Sequence, residues 1–115
     1  MADDKRAALG SVRLRKFIEV VVEDTLSYTL FRAAVADVSA TGMRVISEQF
    51  LPTGARYTFT LKRSPFLTLR GEVRWIRAFE RETFQVGVLF IGLTEEDVSK
   101  LTGFLEIERR RVPTS

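Results

Sequence analysis

A carboxylate and a hydroxyl two residues apart, with a glycine close behind, mark the segment Asp37-Val38-Ser39-Ala40-Thr41-Gly42. In an extended chain, period 2 puts Asp37 and Ser39 on the same side of the strand end. Side by side, these two groups accept from and donate to the edge of a purine base. Gly42 is expected to supply a backbone turn with positive φ. The same residue types also make an Asx/Ser turn that closes a hairpin and holds no ligand. The second chemical signal is arginine, which makes up 14 of the 18 basic residues. Lys5, Arg6, Arg13, Arg15 and Lys16 place five positive charges and no negative one in residues 5–16. An arginine fork matches phosphate or the O6/N7 edge of guanine bidentately, where lysine acts only as a point charge. Arg109, Arg110 and Arg111 form a second cluster, which suits the C-terminal end of a helix.

Two absences narrow the chemistry. The chain has no cysteine, so it has no disulfide, thiolate nucleophile or Cys-based zinc site. It has no histidine either, which removes the Ser-His-Asp triad, the paired-histidine zinc site and the usual general base near neutral pH. No convincing acid/base pair remains, and no catalytic residue, metal ligand or cofactor is assigned. The expectation is a binding protein. A net charge of +3 is too small for a bulk nucleic-acid coater.

These residues must be positioned by a single domain, given 115 residues with 45% apolar and 29% charged content. The charged start, Met1 to Arg6, has no apolar segment of a signal peptide. The longest charge-free run, Thr83 to Thr94, falls short of the ~20 residues that span a bilayer. The expected location is therefore cytoplasmic. Residues 1–16 show no hydrophobic period and read as a mobile basic arm. Residues 17–109 read as a barrel with a C-terminal helix, and 110–115 as a tail.

Within the barrel, Phe17 to Glu23 is rich in β-branched residues, and Asp24-Thr25 is a turn signal. Leu26 to Val38 reads as a second strand with Tyr28, Leu30 and Arg32 on one face. A short strand, Met43 to Ser47, follows. Arg56 to Lys62 alternates, with Tyr57, Phe59 and Leu61 facing in. Phe66 to Ala78 is a long strand with Gly71 as its bulge or bend, and Val73 and Trp75 on one face. Thr83 to Ile91 closes the series. Short strands at this spacing predict a mainly β fold, a small antiparallel barrel of six or seven strands. Thr94-Glu95-Glu96-Asp97 then resembles a capping box, and Val98, Leu101, Leu105 and Glu108 lie on or near one face, widened by Phe104, the packing stripe of one C-terminal α-helix to about Arg109.

In this order, the pieces resemble the PilZ domain family: a basic arm, D-x-S-x-x-G at Asp37, Ser39 and Gly42, Gly71-Glu-Val73-Arg-Trp75, and Val86-Gly87-Val88-Leu89-Phe90 before a last helix. The resemblance covers about residues 13–108. It implies a PilZ-like barrel and a receptor for cyclic di-GMP, a dianion with two guanines. Site residues implied are Arg13, Arg15 and Lys16 from the arm, with Asp37, Ser39 and Gly42 at the strand end. Aligning Phe17 with the apolar residue inside the family's R-x-x-x-R motif pairs the first arginine with Arg15 and the second with Glu19. A reversed charge matters beside an anion, since two unit charges ~4 Å apart interact by about 4 kcal/mol at a dielectric of ~20.

The expected function is a signalling module that binds cyclic di-GMP and relays the signal to an unidentified protein partner. Motility, adhesion and polysaccharide export are all compatible with the family. The competing expectation is a degenerate PilZ adaptor that works by protein contact without nucleotide. A more remote alternative is a barrel for single-stranded nucleic acid, which needs exposed aromatics among basic residues. Phe79-Glu80-Arg81-Glu82 offers that only with two acids in the groove, so no DNA or RNA partner is expected.

Overall fold

The computed structural model describes residues 17–110. The expected arm, with Arg13, Arg15 and Lys16, and residues 111–115 lie outside the described residues. Six strands form a closed antiparallel barrel: β1 (Ile18–Asp24), β2 (Thr29–Val38), β3 (Gly42–Ser47), β4 (Arg56–Leu61), β5 (Leu67–Ala78) and β6 (Phe84–Ile91). Their order around the barrel is β1-β2-β3-β6-β5-β4, and β4 closes on β1 from Val20 opposite Leu61 to Glu23 opposite Thr58. One helix, α1 (Glu95–Arg110), follows.

Period-2 alternation builds the interior. Ile18, Val20 and Val22 of β1 face in, as do Tyr57, Phe59 and Leu61 of β4 and Val86, Val88 and Phe90 of β6. Gly71 faces in too. A Cβ there would lie 2.4 Å from Val88 Cγ1 and 3.0 Å from Phe59 Cε1, so glycine makes room for those side chains. Gly71 is thus in regular register opposite Tyr57, and the expected bulge at this residue falls instead at Arg74, between Val73 and Trp75. The bulge also separates two residues expected on one face. Val73 is in the core, whereas Trp75 is 37% exposed.

The second strand begins later than its apolar content suggested. Leu26 and Tyr28 belong to the preceding turn, and the face carrying Tyr28, Leu30 and Arg32 is turned to solvent. Phe31, Ala33 and Val35 supply the inward face. Leu51, in the connection from β3 to β4, is 1% exposed and fills the end of the barrel away from α1.

Helix α1 starts on the expected capping box. Thr94 N donates to Asp97 Oδ2 and Asp97 N donates to Thr94 Oγ1, each at 3.0 Å. Acids fill its first turn, and Arg109 and Arg110 its last, as the macrodipole favours. The buried stripe is the expected one turned toward Phe104 and Glu108. It is Leu101, Phe104 and Glu108, while Val98 is 48% exposed and Leu105 only partly buried. The cause is the ion pair between Glu108 Oε2 and Arg63 Nε, 3.0 Å apart, which holds the C-terminal part of α1 against the β4–β5 turn. The Arg63 Nε–H is not aligned on that oxygen, so the contact is electrostatic and not a hydrogen bond.

Leu101→Ala is expected to lower stability by about 2–5 kcal/mol in urea unfolding, as a buried large-to-small change. Val98→Ala, on the exposed side, is expected to change it by less than about 0.5 kcal/mol. Equal effects would mean the helix packs by the other face. Burial pushes the Tyr57 phenol above its ordinary value of 10.0, and the Asp24 carboxylate adds to the shift. A raised folded-state value means the unfolded chain ionises first. Stability should therefore be unaffected by this group below about pH 10 and fall as pH rises from there through the folded value. Tyr57→Phe should remove that part of the alkaline loss in denaturation measured across pH.

Candidate functional site

The residues of the D-x-S-x-x-G segment sit where β2 passes into β3. A β-bulge decides what they do. Val35 is opposite Val45, and Asp37 is opposite Arg44, so Ala36 is the unpaired extra residue. Up to Val35 the odd-numbered residues of β2 face the core. After the bulge Val38 faces in, opposite the buried Met43, and Asp37 shares the outer face with Arg44. Asp37 is nevertheless only 1% exposed. Arg44 Nη2 donates to Asp37 Oδ2 at 2.5 Å, a charge-assisted bond that fixes the carboxylate. Arg44 Nε is buried without a hydrogen-bond partner among the described residues.

A second bulge, at Arg74, acts in the same way on β5. It turns Trp75 outward, opposite Gly87. A Cβ on Gly87 would lie 2.1 Å from Trp75 Nε1, so the indole occupies the space that any larger residue would fill. Gly87 is in turn opposite Arg44. The register therefore lays Asp37, Arg44, Gly87 and Trp75 in one row across four strands, on the outer face. A cleft of about 180 Å³ lies along this row, lined by Ser39, Gly42, Arg44, Arg74, Trp75 and Gly87 among others. Arg77 stacks its guanidinium 4.7 Å from the indole centroid, and Arg74 lies 3.9 Å from Glu72. The wall is cationic and aromatic, suited to a planar or anionic group.

Ser39 takes the turn role that its type also allowed. Its hydroxyl accepts from Thr41 N and donates to Gly42 O, each at 3.3 Å. Gly42 has no positive φ, contrary to expectation. Glycine is required there because a Cβ would lie 2.2 Å from the Val88 carbonyl oxygen on β6. Of the six residues picked from the sequence, Asp37, Ser39 and Gly42 come together at this turn, while Arg13, Arg15 and Lys16 lie outside the described residues. Glu19 stands apart from the turn. It is in β1 opposite Ala34, with Oε2 3.2 Å from Arg32 Nε. Arg44, Arg74 and Trp75 were not picked out. The signal for Arg44 was available, since it is the one charge within the alternating Met43-Arg44-Val45.

Comparison with known proteins agrees with this architecture. The PilZ domain model matches residues 5–106, and the chain belongs to the PilZ domain family. The PilZ domain of YcgR from Escherichia coli, solved with c-di-GMP, superposes with a TM-score of 0.68 at 14% identity, over 86% of this chain and 89% of that one. The PilZ domain of CeSA from a cellulose-synthesizing bacterium gives 0.62 at 18% identity, over 82% and 97%. The Bacillus subtilis inhibitor of motility MotI gives 0.66 at 14% identity, over 88% of this chain and 50% of that one, so this chain spans half the length of MotI. No curated protein matches the sequence. Among the described residues no helix is long and apolar enough to cross a membrane.

Gly42→Ala should destabilise the barrel by about 1–3 kcal/mol, the range for forced overpacking, because a backbone oxygen cannot swing aside. A urea midpoint equal to that of the parent would contradict the close approach of β3 and β6.

Proposed function

We propose that this chain is a non-enzymatic PilZ signalling module that binds cyclic di-GMP and passes the signal to a protein partner through its surface. The observation that carries the reading is Asp37, held by Arg44 on the outer face of the barrel beside a cationic, aromatic cleft. In this reading the carboxylate accepts from the N1–H and N2–H₂ edge of a guanine, and Ser39 and Gly42 shape the turn beside it. Arg13, Arg15 and Lys16 supply cations for the phosphates and for the O6/N7 edge. Family membership and the solved relatives that hold c-di-GMP support this assignment. Asp37 is 1% exposed, so a ligand reaching it must open the surface above. The reading gives that change to an order–disorder switch, in which the ligand bridges residues 5–16 to the end of β2.

One observation favours the second reading, an adaptor that needs no nucleotide. Glu19, aligned with the second arginine of the family motif, is an acid already engaged with Arg32.

Calorimetric titration with cyclic di-GMP separates the two. Binding that is lost in Asp37→Ala and in Arg15→Ala is expected for a receptor. Glu19→Arg should then strengthen binding, because it removes a repulsion and adds a bidentate donor. Hydrogen exchange should show residues 5–16 gaining protection when the nucleotide is added. A folded Glu19→Arg variant that still gives no heat would leave the adaptor reading standing.

A further inference from the structure

Strand β2 is paired on both sides over only part of its length. Toward β1 the ladder runs from Thr29, opposite Asp24, to Val35, opposite Ile18. Toward β3 it begins only at Ala34, opposite Ile46. The reason is local. At the end of β3, Ser47 Oγ accepts from Gln49 N and donates to Gln49 O, both at 2.9 Å, and this turns the chain away from β2. Thr29–Ala33 is therefore an open sheet edge among the described residues. A groove of about 380 Å³ runs beside it, lined by Arg32, Ala33, Ala34, Ile46, Ser47, Thr83 and one acid from the departing chain, Glu48.

Open edges are ordinarily blunted by proline, lysine or an unpaired charge. Thr29–Ala33 contains neither proline nor lysine. Its one charge, on Arg32, is matched by Glu19 at 3.2 Å. The edge and the turn before it carry apolar side chains into solvent: Leu30 is 63% exposed, and in the turn Leu26 is 93% and Tyr28 86% exposed. Tyr28 also holds φ at 56°, after the turn in which Ser27 N donates to Asp24 O at 3.2 Å. Hairpins usually place glycine at such a position, so a bulky tyrosine there is strained.

We propose that the chain forms a two-fold dimer in which β2 pairs antiparallel with β2 of a second copy, centred on Leu30. An unpaired backbone edge calls for an extended strand as its occupant. The outward strand residues Leu30 and Arg32, with Tyr28 of the preceding turn, complement a second copy of themselves in this register. Leu30 meets Leu30 of the partner subunit, and Tyr28, in the turn just before the strand, is carried to the end of the ladder beside Arg32 of the partner subunit, twice by symmetry. The contact gains one apolar pair and two cation–π pairs, and the open N–H and C=O groups enter a ladder. Glu19 then serves to neutralise the one charge on the edge strand itself. The proposal stands independently of whether the chain binds a nucleotide.

The test uses the full chain, which lacks cysteine. Sedimentation equilibrium from micromolar to about 1 mM should show a monomer–dimer equilibrium, and Leu30→Lys should weaken it by about tenfold or more. Glu19→Arg should weaken it too, whatever that variant does in the nucleotide titration. Tyr28→Gly should raise the thermal midpoint of the monomer while weakening association, opposite effects that a merely structural tyrosine would not produce. Leu30→Cys puts a single thiol at the symmetry axis. Facing residues in a ladder are ~4.5–5.5 Å apart at Cα, within disulfide reach, so mild oxidation should cross-link it far faster than Thr102→Cys, exposed on α1. A chain monomeric throughout, or Leu30→Cys linking no faster than Thr102→Cys, overturns the proposal.

Discussion

Two residues without a cross-strand partner, Ala36 on β2 and Arg74 on β5, set the chemistry of this barrel. In an uninterrupted strand Asp37 would follow Val35 to the interior, and a buried carboxylate among valines carries a heavy desolvation cost. The extra residue on β2 reverses the alternation just before Asp37. The one on β5 does the same for Trp75. Their consequence is the row from Asp37 through Arg44 and Gly87 to Trp75, which no regular strand geometry yields from this sequence. Bulges recur where a strand must re-aim a side chain. Here two of them act on one patch.

The ends of the barrel solve a different problem. A closed sheet leaves no edge along its sides, but its open ends must be filled. Leu51 fills one end with hydrocarbon. The other is covered by Leu101 and Phe104 of α1, with Glu108 drawn in against Arg63. An ion pair with one buried member adds little net stability, so the contact fixes how α1 docks more than it strengthens the fold. Closure is also incomplete along one seam, since β3 departs at Ser47 before β2 has ended.

Much of this was legible in the sequence, for identifiable reasons. Tyr57, Phe59 and Leu61 alternate without interruption, so their inward direction needed no tertiary information. Thr94 and Asp97 carry their capping role in their side-chain types and spacing. The D-x-S-x-x-G segment marked the right corner of the fold. The bulges were hidden because alanine and arginine carry no local signal for an unpaired position. Gly71, which did carry such a signal, is a glycine for another reason: its missing Cβ is filled by Val88 and Phe59 from other strands. Gly42 and Gly87 are likewise explained by neighbours distant in sequence. Spacing placed Glu108 on or near the packing face, but its full burial was not legible, since Arg63, which pairs with it, is distant in sequence. The shared face of Tyr28 and Leu30 was legible, but not that it is wet, because hydrophobicity alone does not say which side of a strand faces solvent.

The placement of the aromatic residues has an optical consequence. Trp75 is the single tryptophan, and it lies on Gly87 at the end of the row that starts at Asp37. Of the two tyrosines, Tyr57 is inside the barrel and Tyr28 stands on the open seam. The three principal near-ultraviolet chromophores thus report on three separate regions: the outer cleft, the core and the unpaired edge. Emission of the indole follows the cleft, iodination follows the exposed phenol, and in a Tyr28→Phe variant the alkaline difference absorbance follows the buried phenol alone. The chain's own aromatic residues thus distinguish its cleft, its interior and its seam.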